Sequence, residues 1–174
     1  MSVGAPQGLH PEAFRHVIGH FASGVTVITT RDGEVPLGTT ASALSSLSLE
    51  PPTLLVCMNT ASITGQAIAA SGGFAVNILS EDQKEAALTF ARKGEDKFRS
   101  ISWTPGATGM PLLSGALATL ECRVLEQVSG GTHSVFVARV EEAAAHAGAP
   151  LAYFRGRFAQ LSLVQDERPP AQAR

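Results

Sequence analysis

Residues 38–48 read Gly-Thr-Thr-Ala-Ser-Ala-Leu-Ser-Ser-Leu-Ser, GTTASALSSLS, and lie between two apolar, strand-like runs. A strand that fills a core takes branched apolar or aromatic side chains, whereas these are small or carry hydroxyls. Upstream, Gly24-Val-Thr-Val-Ile-Thr-Thr30 is rich in β-branched residues and ends at Arg31-Asp-Gly33. The Asp-Gly pair predicts a hairpin turn, so a second strand starts near Val35 and runs into the stretch. Downstream, Glu50-Pro-Pro52 interrupts any continuous strand, and Thr53-Leu-Leu-Val-Cys-Met58 resumes as a nearly all-apolar run. That run is expected to be a central strand buried on both faces.

Outward from this centre the pattern stays rich in strands. Phe14, Val17, Ile18 and Phe21 recur at offsets of three and four, which predicts an amphipathic helix before the first strand. Ser62 to Ala70 reads as a short hydroxyl-capped helix closed by Ser71-Gly-Gly73, followed by a strand over Phe74–Leu79. Ser80-Glu-Asp-Gln-Lys predicts an N-cap with acids in the first turn of a helix running to about Arg92. Phe98 to Gly115 has no sustained period and is expected to wrap the surface. Strands follow over Ala116–Val128 and His133–Glu142, joined by a turn at Gly130-Gly131, then around Leu151–Phe154 and Arg157–Leu163. Strands meeting through hairpins, with few helices, predict a mainly β fold: a closed antiparallel Greek-key barrel with peripheral helices. The expected organisation is an N-terminal extension over 1–11, one domain over 12–163 and a disordered polar tail over 164–174.

Composition narrows the function classes. With 174 residues, 44% hydrophobic content and a formal net charge of −2, the chain offers one sizeable core and no basic stripe for nucleic-acid phosphates. Neither a signal-like start nor a bilayer-length apolar run is present, so the expected setting is cytoplasmic, away from membranes. Cys57 and Cys122 lack paired spacing and read as free, buried thiols. His16 and His20 stand one helical turn apart without a third ligand in reach, so no metal site is expected. No GxSxG, SxxK, GxGxxG or P-loop motif is present, and no side chain is singled out as catalytic.

The hydroxyl-rich segments carry the chemistry. Gly38, Ala41 and Ala43, interleaved with Thr39, Thr40, Ser42, Ser45 and Ser46, let a ligand approach the backbone closely, as a binding wall requires. Asn59-Thr-Ala-Ser-Ile-Thr64 falls where a strand gives way to a helix start, a setting that suits an anion such as phosphate. By composition alone, local capping accounts for the same hydroxyls.

Several blocks in order resemble the short flavin reductases of two-component monooxygenases: Phe21-Ala-Ser-Gly-Val-Thr-Val-Ile-Thr-Thr30, Gly38 through Pro52, Phe74-Ala-Val-Asn-Ile-Leu-Ser80, Phe90-Ala91, Leu120-Glu-Cys122 and Gly131-Thr-His133. The similarity spans residues 12 to 163. It implies an FMN-binding split barrel, usually homodimeric, that reduces FMN or FAD with NADH or NADPH and releases reduced flavin to a partner oxygenase. It further implies that Thr39, Thr40, Ala41 and Ser42 line the isoalloxazine and ribityl chain, with Ser45 and Ser46 following. Asn59, Ser62 and Thr64 would hold the phosphate, helped from the Phe90–Lys93 segment by Phe90 and Lys93. Gly131, Thr132 and His133 would contact nicotinamide, and Tyr153-Phe-Arg-Gly-Arg-Phe158 matches a closing aromatic hairpin. Thr132 stands where the family's usual acid would be, which leaves the choice between NADH and NADPH open, and Ala43 stands where a second serine is common. The alternatives are a flavin-binding module that retains FMN as a carrier or reduces another acceptor, and a pyridoxal-phosphate-handling barrel, which would want a more basic phosphate end.

Overall fold

A computed structural model of the chain describes residues 8–94 and 97–164. The first helix, α1 (Pro11–Ile18), is capped by His10 and leads through Gly19 to a two-residue strand, β1 (Ser23–Gly24). The predicted hairpin follows: β2 (Thr26–Asp32) and β3 (Val35–Ala41) pair antiparallel around Gly33, whose φ of 57° is the left-handed conformation such a turn demands. Only Ser42 and Ala43 separate β3 from β4 (Leu44–Leu49), which pairs with β5 (Pro52–Asn59). Helix α2 (Ile63–Ser71) ends at Gly72 in the left-handed region and gives way to β6 (Gly73–Ile78). A 3₁₀ turn at Glu81–Gln83 precedes α3 (Lys84–Ala91), and the Gln83 side chain accepts from the Ser80 N–H at 3.1 Å.

Beyond α3 come a short hairpin, β7 (Trp103–Pro105) and β8 (Pro111–Leu113), and two long strands, β9 (Ala118–Gly130) and β10 (His133–Ala145). The final hairpin, β11 (Leu151–Phe154) and β12 (Arg157–Gln160), adds β1 to make a three-stranded sheet.

The main sheet has seven strands in the order β3-β2-β6-β9-β10-β5-β4, all antiparallel. Its two edges, β3 and β4, are consecutive in the chain. A link of two residues spans about 10 Å at most, so the sheet must curl until its edges nearly meet. No ladder pairs β3 with β4 among the described residues; the covalent link holds the seam of a split barrel. Register shifts in β9 and β10 at Val137/Ala138 and Val140/Glu142 supply bending for the curl.

One apolar cluster fills the barrel, built on Ile28, Val56, Phe74, Val76 and Phe136. A second lies outside it, where Val25, Val27, Leu79, Phe90, Leu113 and Leu151 pack together beneath α3.

Three sequence expectations change. The 53–58 run is not central: β5 is second from the edge, with Leu54, Val56 and Met58 buried while Leu55 and Cys57 are half-buried on the outer face. The 98–115 segment does more than wrap the surface, because Phe98, Ile101, Trp103 and Leu113 pack on the second cluster. Its bend is fixed by Glu121, 4% exposed, whose carboxylate accepts from the Ala107 N–H at 2.8 Å, the Thr108 N–H at 2.7 Å and the Thr108 hydroxyl. A side chain at Gly106 would collide with that carboxylate. Finally, no residue of the amphipathic α1 is buried in the single chain. Of the expected tail, residues 165–174 lie outside those described.

Asn77 is fully buried and fully used. Its amide donates to Val27 O and Thr29 Oγ1, both at 3.1 Å, and its oxygen accepts from the Leu113 N–H at 2.7 Å; Thr29 in turn donates to Pro111 O at 2.5 Å. This network ties the β7–β8 hairpin to the barrel. Asn77→Ala leaves several buried groups unpaired and is expected to lower stability in urea unfolding by about 2–4 kcal/mol. A loss below about 1 kcal/mol would show that the network is dispensable.

Candidate functional site

Strand β3 has both faces engaged. Thr39 pairs with Ile28 and shares its face toward the barrel interior, and Ala41 packs against the interior cluster. Gly38 and Thr40 face α3 instead: the Thr40 hydroxyl donates to Ala87 O at 2.6 Å. A Cβ on Gly38 would stand 2.7 Å from the Phe90 ring and 3.3 Å from that of Phe98. The glycine is there because two aromatic rings, edge to face at 4.9 Å, press against the backbone. Phe90, fully buried, therefore supports β3 from behind and contacts no ligand from that position.

Past Ala41 the chain leaves the ladder, and Ser42 and Ser45 line a groove of about 900 Å³. Ala43 sits between them, and its carbonyl accepts from the Cys57 N–H at 2.9 Å, which fixes the crossing to β5. The rest of the groove comes from Leu44, from Leu55 and Cys57 on β5, from α1, and from Tyr153 and Arg155 of the β11–β12 hairpin. Its lining is mainly apolar, bounded by small hydroxyl residues, a surface suited to a flat aromatic ring system. Of the six wall residues expected from sequence, Ser42 and Ser45 reach the groove; Thr39, Thr40, Ala41 and Ser46 do not line it.

Along the outer face of β5 the residues Leu55, Cys57 and Asn59 follow one another, so Asn59 stands about 13 Å from Leu55. There the phosphate candidates gather. Asn59 Oδ1 accepts from the Ala61 N–H at 2.8 Å, and Ser62 caps α2 by accepting from the Gly65 N–H at 3.3 Å. The N–H groups of Ile63 and Thr64 have no acceptor among the described residues, leaving two donors at the positive end of the helix. Thr64 is 4% exposed, so its backbone N–H is its available contribution.

The Gly131-Thr132-His133 turn joins this end. His133 pairs with Asn59 across the ladder, and Thr60 donates to Thr132 O through both its N–H, at 3.0 Å, and its hydroxyl, at 3.1 Å. The Thr132 hydroxyl lies 3.0 Å from His133 Nδ1. The structure thus brings the expected phosphate and nicotinamide residues together at one end of β5 and places Ser42 and Ser45 beside residues 55–57, toward its middle.

Sequence reasoning passed over Lys97, Cys57 and the α1 and Arg155 contributions to the groove. Lys93 is exposed beyond α3, whereas Lys97 donates to Gly38 O at 3.0 Å and Phe90 O at 3.1 Å, clamping α3 to β3. Burial lowers the pKa of its ammonium. No periodic signal marks Lys97; its role follows from where α3 docks. Burial, with Glu141 and then Glu121 nearby, pushes the Cys122 thiol up to about 12. His16 and His20 stack edge to face at 5.1 Å, and His20 packs likewise on Phe154 at 6.2 Å.

With this geometry in hand, comparison with known proteins places the chain. The family model described as "Flavin reductase like domain" matches residues 18–162. The reductase component of 4-nitrophenol 4-monooxygenase/4-nitrocatechol 2-monooxygenase from Rhodococcus opacus is 49% identical over 152 residues, covering 87% of this chain and 82% of the relative. Flavin reductase (NADH) from Kitasatospora aureofaciens is 36% identical, covering 96% of this chain and 90% of the relative. The solved structure of the Streptomyces globisporus NADH:FAD oxidoreductase SgcE6 with NAD and FAD fragments superposes with a TM-score of 0.86 at 34% identity, over 92% of this chain and 99% of that one. The chain belongs to the flavin reductase like family, and its split barrel is the fold of that family. It is an NAD(P)H-dependent flavin reductase.

The two thiols differ sharply in their settings. At pH 8 a group with a pKa near 12 is thiolate on the order of once in 10⁴ molecules, and Cys122 is also shut inside the barrel wall. Cys57, expected to be buried, is only half-buried, because the outer face of β5 opens there onto the groove. Titration of the native protein with an aromatic disulfide reagent at pH 8 is expected to modify one thiol, and none in Cys57→Ser. Fast reaction of two thiols would contradict this assignment.

Proposed function

We propose that the chain reduces FMN or FAD with NADH or NADPH and supplies the reduced flavin to a partner monooxygenase. The observation that carries this reading is the continuity of the outer β5 face: an apolar groove over Leu55 and Cys57, edged by Ser42 and Ser45, runs on through Asn59 to the capped start of α2. The spacing suits an isoalloxazine ring in the groove and a ribityl phosphate directed toward Ser62. FMN and FAD share this ring, ribityl and phosphate unit, so the site addresses what they have in common. In this reading Ser42 and Ser45 touch the flavin, Thr39, Thr40 and Ala41 anchor the strand that leads into the groove, and Asn59, Ser62 and the Thr64 N–H receive the phosphate. Phe90 supports β3 from the α3 side, and neither it nor Lys93 lines the groove. Gly131, Thr132 and His133 recognise the nicotinamide nucleotide.

The bound cofactors supply hydride chemistry, nicotinamide to flavin, so the protein's task is alignment. Holding two rings in register contributes on the order of 7–11 kcal/mol to lowering a barrier. Lys97 and the Thr40 hydroxyl, by tying β3 to α3, keep the approach to the groove rigid for that purpose. A groove open to solvent on one side also fits release of reduced flavin to an oxygenase.

A homodimer and a cytoplasmic setting complete the proposal. An eight-residue helix with no buried side chain is unstable alone, and α1 exposes Phe14, Val17 and Ile18 by 51–65%. A second copy of the chain covering this face would bury them. Free thiols at Cys57 and Cys122 suit a reducing compartment.

Purified protein is expected to oxidise NADH or NADPH only when FMN, FAD or riboflavin is added; flavin-independent or absent oxidation sinks the reading. Within that assay, Ser62→Ala should weaken FMN binding about three- to tenfold while leaving riboflavin unaffected. His133→Ala should raise the KM for the nicotinamide nucleotide more than the flavin Kd. Light scattering after gel filtration is expected to give twice the chain mass, and a monomer at micromolar concentration would remove the homodimer.

A further inference from the structure

The groove carries two guanidinium groups that the flavin reading leaves unused. Arg15 on α1 and Arg155 on the β11–β12 turn both line it, and neither has an ion-pair partner among the described residues. The segments that carry them are joined through the backbone. The Arg155 N–H donates to Gly19 O at 2.9 Å, and a Cβ on Gly19 would stand 3.1 Å from Arg15 O and 3.9 Å from Arg155 Cα. Helix end and turn are thus stapled backbone to backbone, and His20 packing on Phe154 reinforces the joint. Arg155 has a φ of 49°, the sole positive φ of a non-glycine among the described residues, at a turn position where Asn, Asp or Gly is the usual choice. Charged groups on the same stretch of groove are Glu12, whose carboxylate lies 4.0 Å from His10 Nδ1, and His16.

We infer that Arg15 and Arg155 form the seat for the diphosphate of the nicotinamide dinucleotide. This rests on the reading that the groove holds the stacked flavin and nicotinamide rings. The flavin phosphate is directed along β5 past Asn59, about 13 Å from Leu55, toward Ser62. The second nucleotide, lying on the open face of the flavin ring, leaves by the other side, where α1 and the hairpin meet. Two guanidinium groups lining that side supply the positive charge and the forked donors that a diphosphate takes. NADH and NADPH share that group, so the seat serves either donor.

The test uses the intact protein and the variants Arg15→Gln, Arg155→Asn and the double substitution; Asn accepts a positive φ, so the turn is kept. Each single variant is expected to raise the KM for NADH about tenfold with kcat changed less than threefold, and to leave the Kd for FMN unchanged. Arg15→Lys should recover part of the loss, and Arg157→Gln, on the same hairpin but off the groove, should leave the KM as it was. Calorimetric titration of ADP-ribose, which needs no turnover, should show binding to the flavin-saturated protein weakened at least tenfold in the double variant. Unchanged ADP-ribose binding, or an FMN Kd that worsens as much as the NADH KM while riboflavin is untouched, overturns the seat; the latter would assign the arginines to the flavin phosphate. A wild-type protein that binds ADP-ribose through these arginines but oxidises no NADH would overturn the reductase reading while leaving the seat standing.

Discussion

The link at Ser42-Ala43 is the constraint on which the rest of the molecule depends. It joins the two edge strands of a seven-stranded sheet with two residues, so the sheet curls or the chain does not connect. Curling encloses the Ile28, Val56 and Phe136 cluster, turns Leu55, Cys57 and Asn59 outward along one line, and leaves the crossing itself as the wall of the groove. The hydrogen bond from the Cys57 N–H to Ala43 O holds the crossing against β5. A bulky pair at 42 and 43 would fill the groove that this crossing lines. Small residues here serve the barrel seam and the site together.

Around that seam the binding surface is held from behind. The Lys97 ammonium, the Thr40 hydroxyl and the rings of Phe90 and Phe98 all bear on β3 from the α3 side. None of these groups lines the groove, yet each limits how β3 can move. The Asn77 network does the same for the β7–β8 hairpin beneath the second cluster, using one amide for three partners. Fully satisfied buried polar groups of this kind fix one arrangement of the elements they join.

Much of this was legible in the sequence because local signals and the global fold agree. Asp32-Gly33 marked the first hairpin, Ser62 and Gly72 bracketed α2, and the run from His133 showed a long strand. Three features were hidden for physical reasons. The apolar run at 53–58 resembled a central strand because its outer face, Leu55 and Cys57, borders a groove and is half-covered. The loop over 98–115 is organised by Glu121, a single carboxylate from a distant strand, which no periodicity reveals. In the site itself, hydroxyl content marked 38–48 as a whole, but which hydroxyls reach a ligand depends on strand parity and on where β3 ends. Ser42 and Ser45 line the groove, whereas Thr40 is spent on α3.

The double occupancy of β3 bears on how such a site can be altered. Positions 38 to 41 answer to the barrel on one side and to α3 on the other, so they have little freedom whatever the ligand. Positions 42, 43 and 45 are exposed and lie outside both packing interfaces, while Leu44 between them packs on the interior cluster. Latitude for reshaping the groove is therefore concentrated in a few positions, next to a stretch of similar composition that has almost none. Two adjoining runs of small residues, alike in the sequence, stand under different packing constraints.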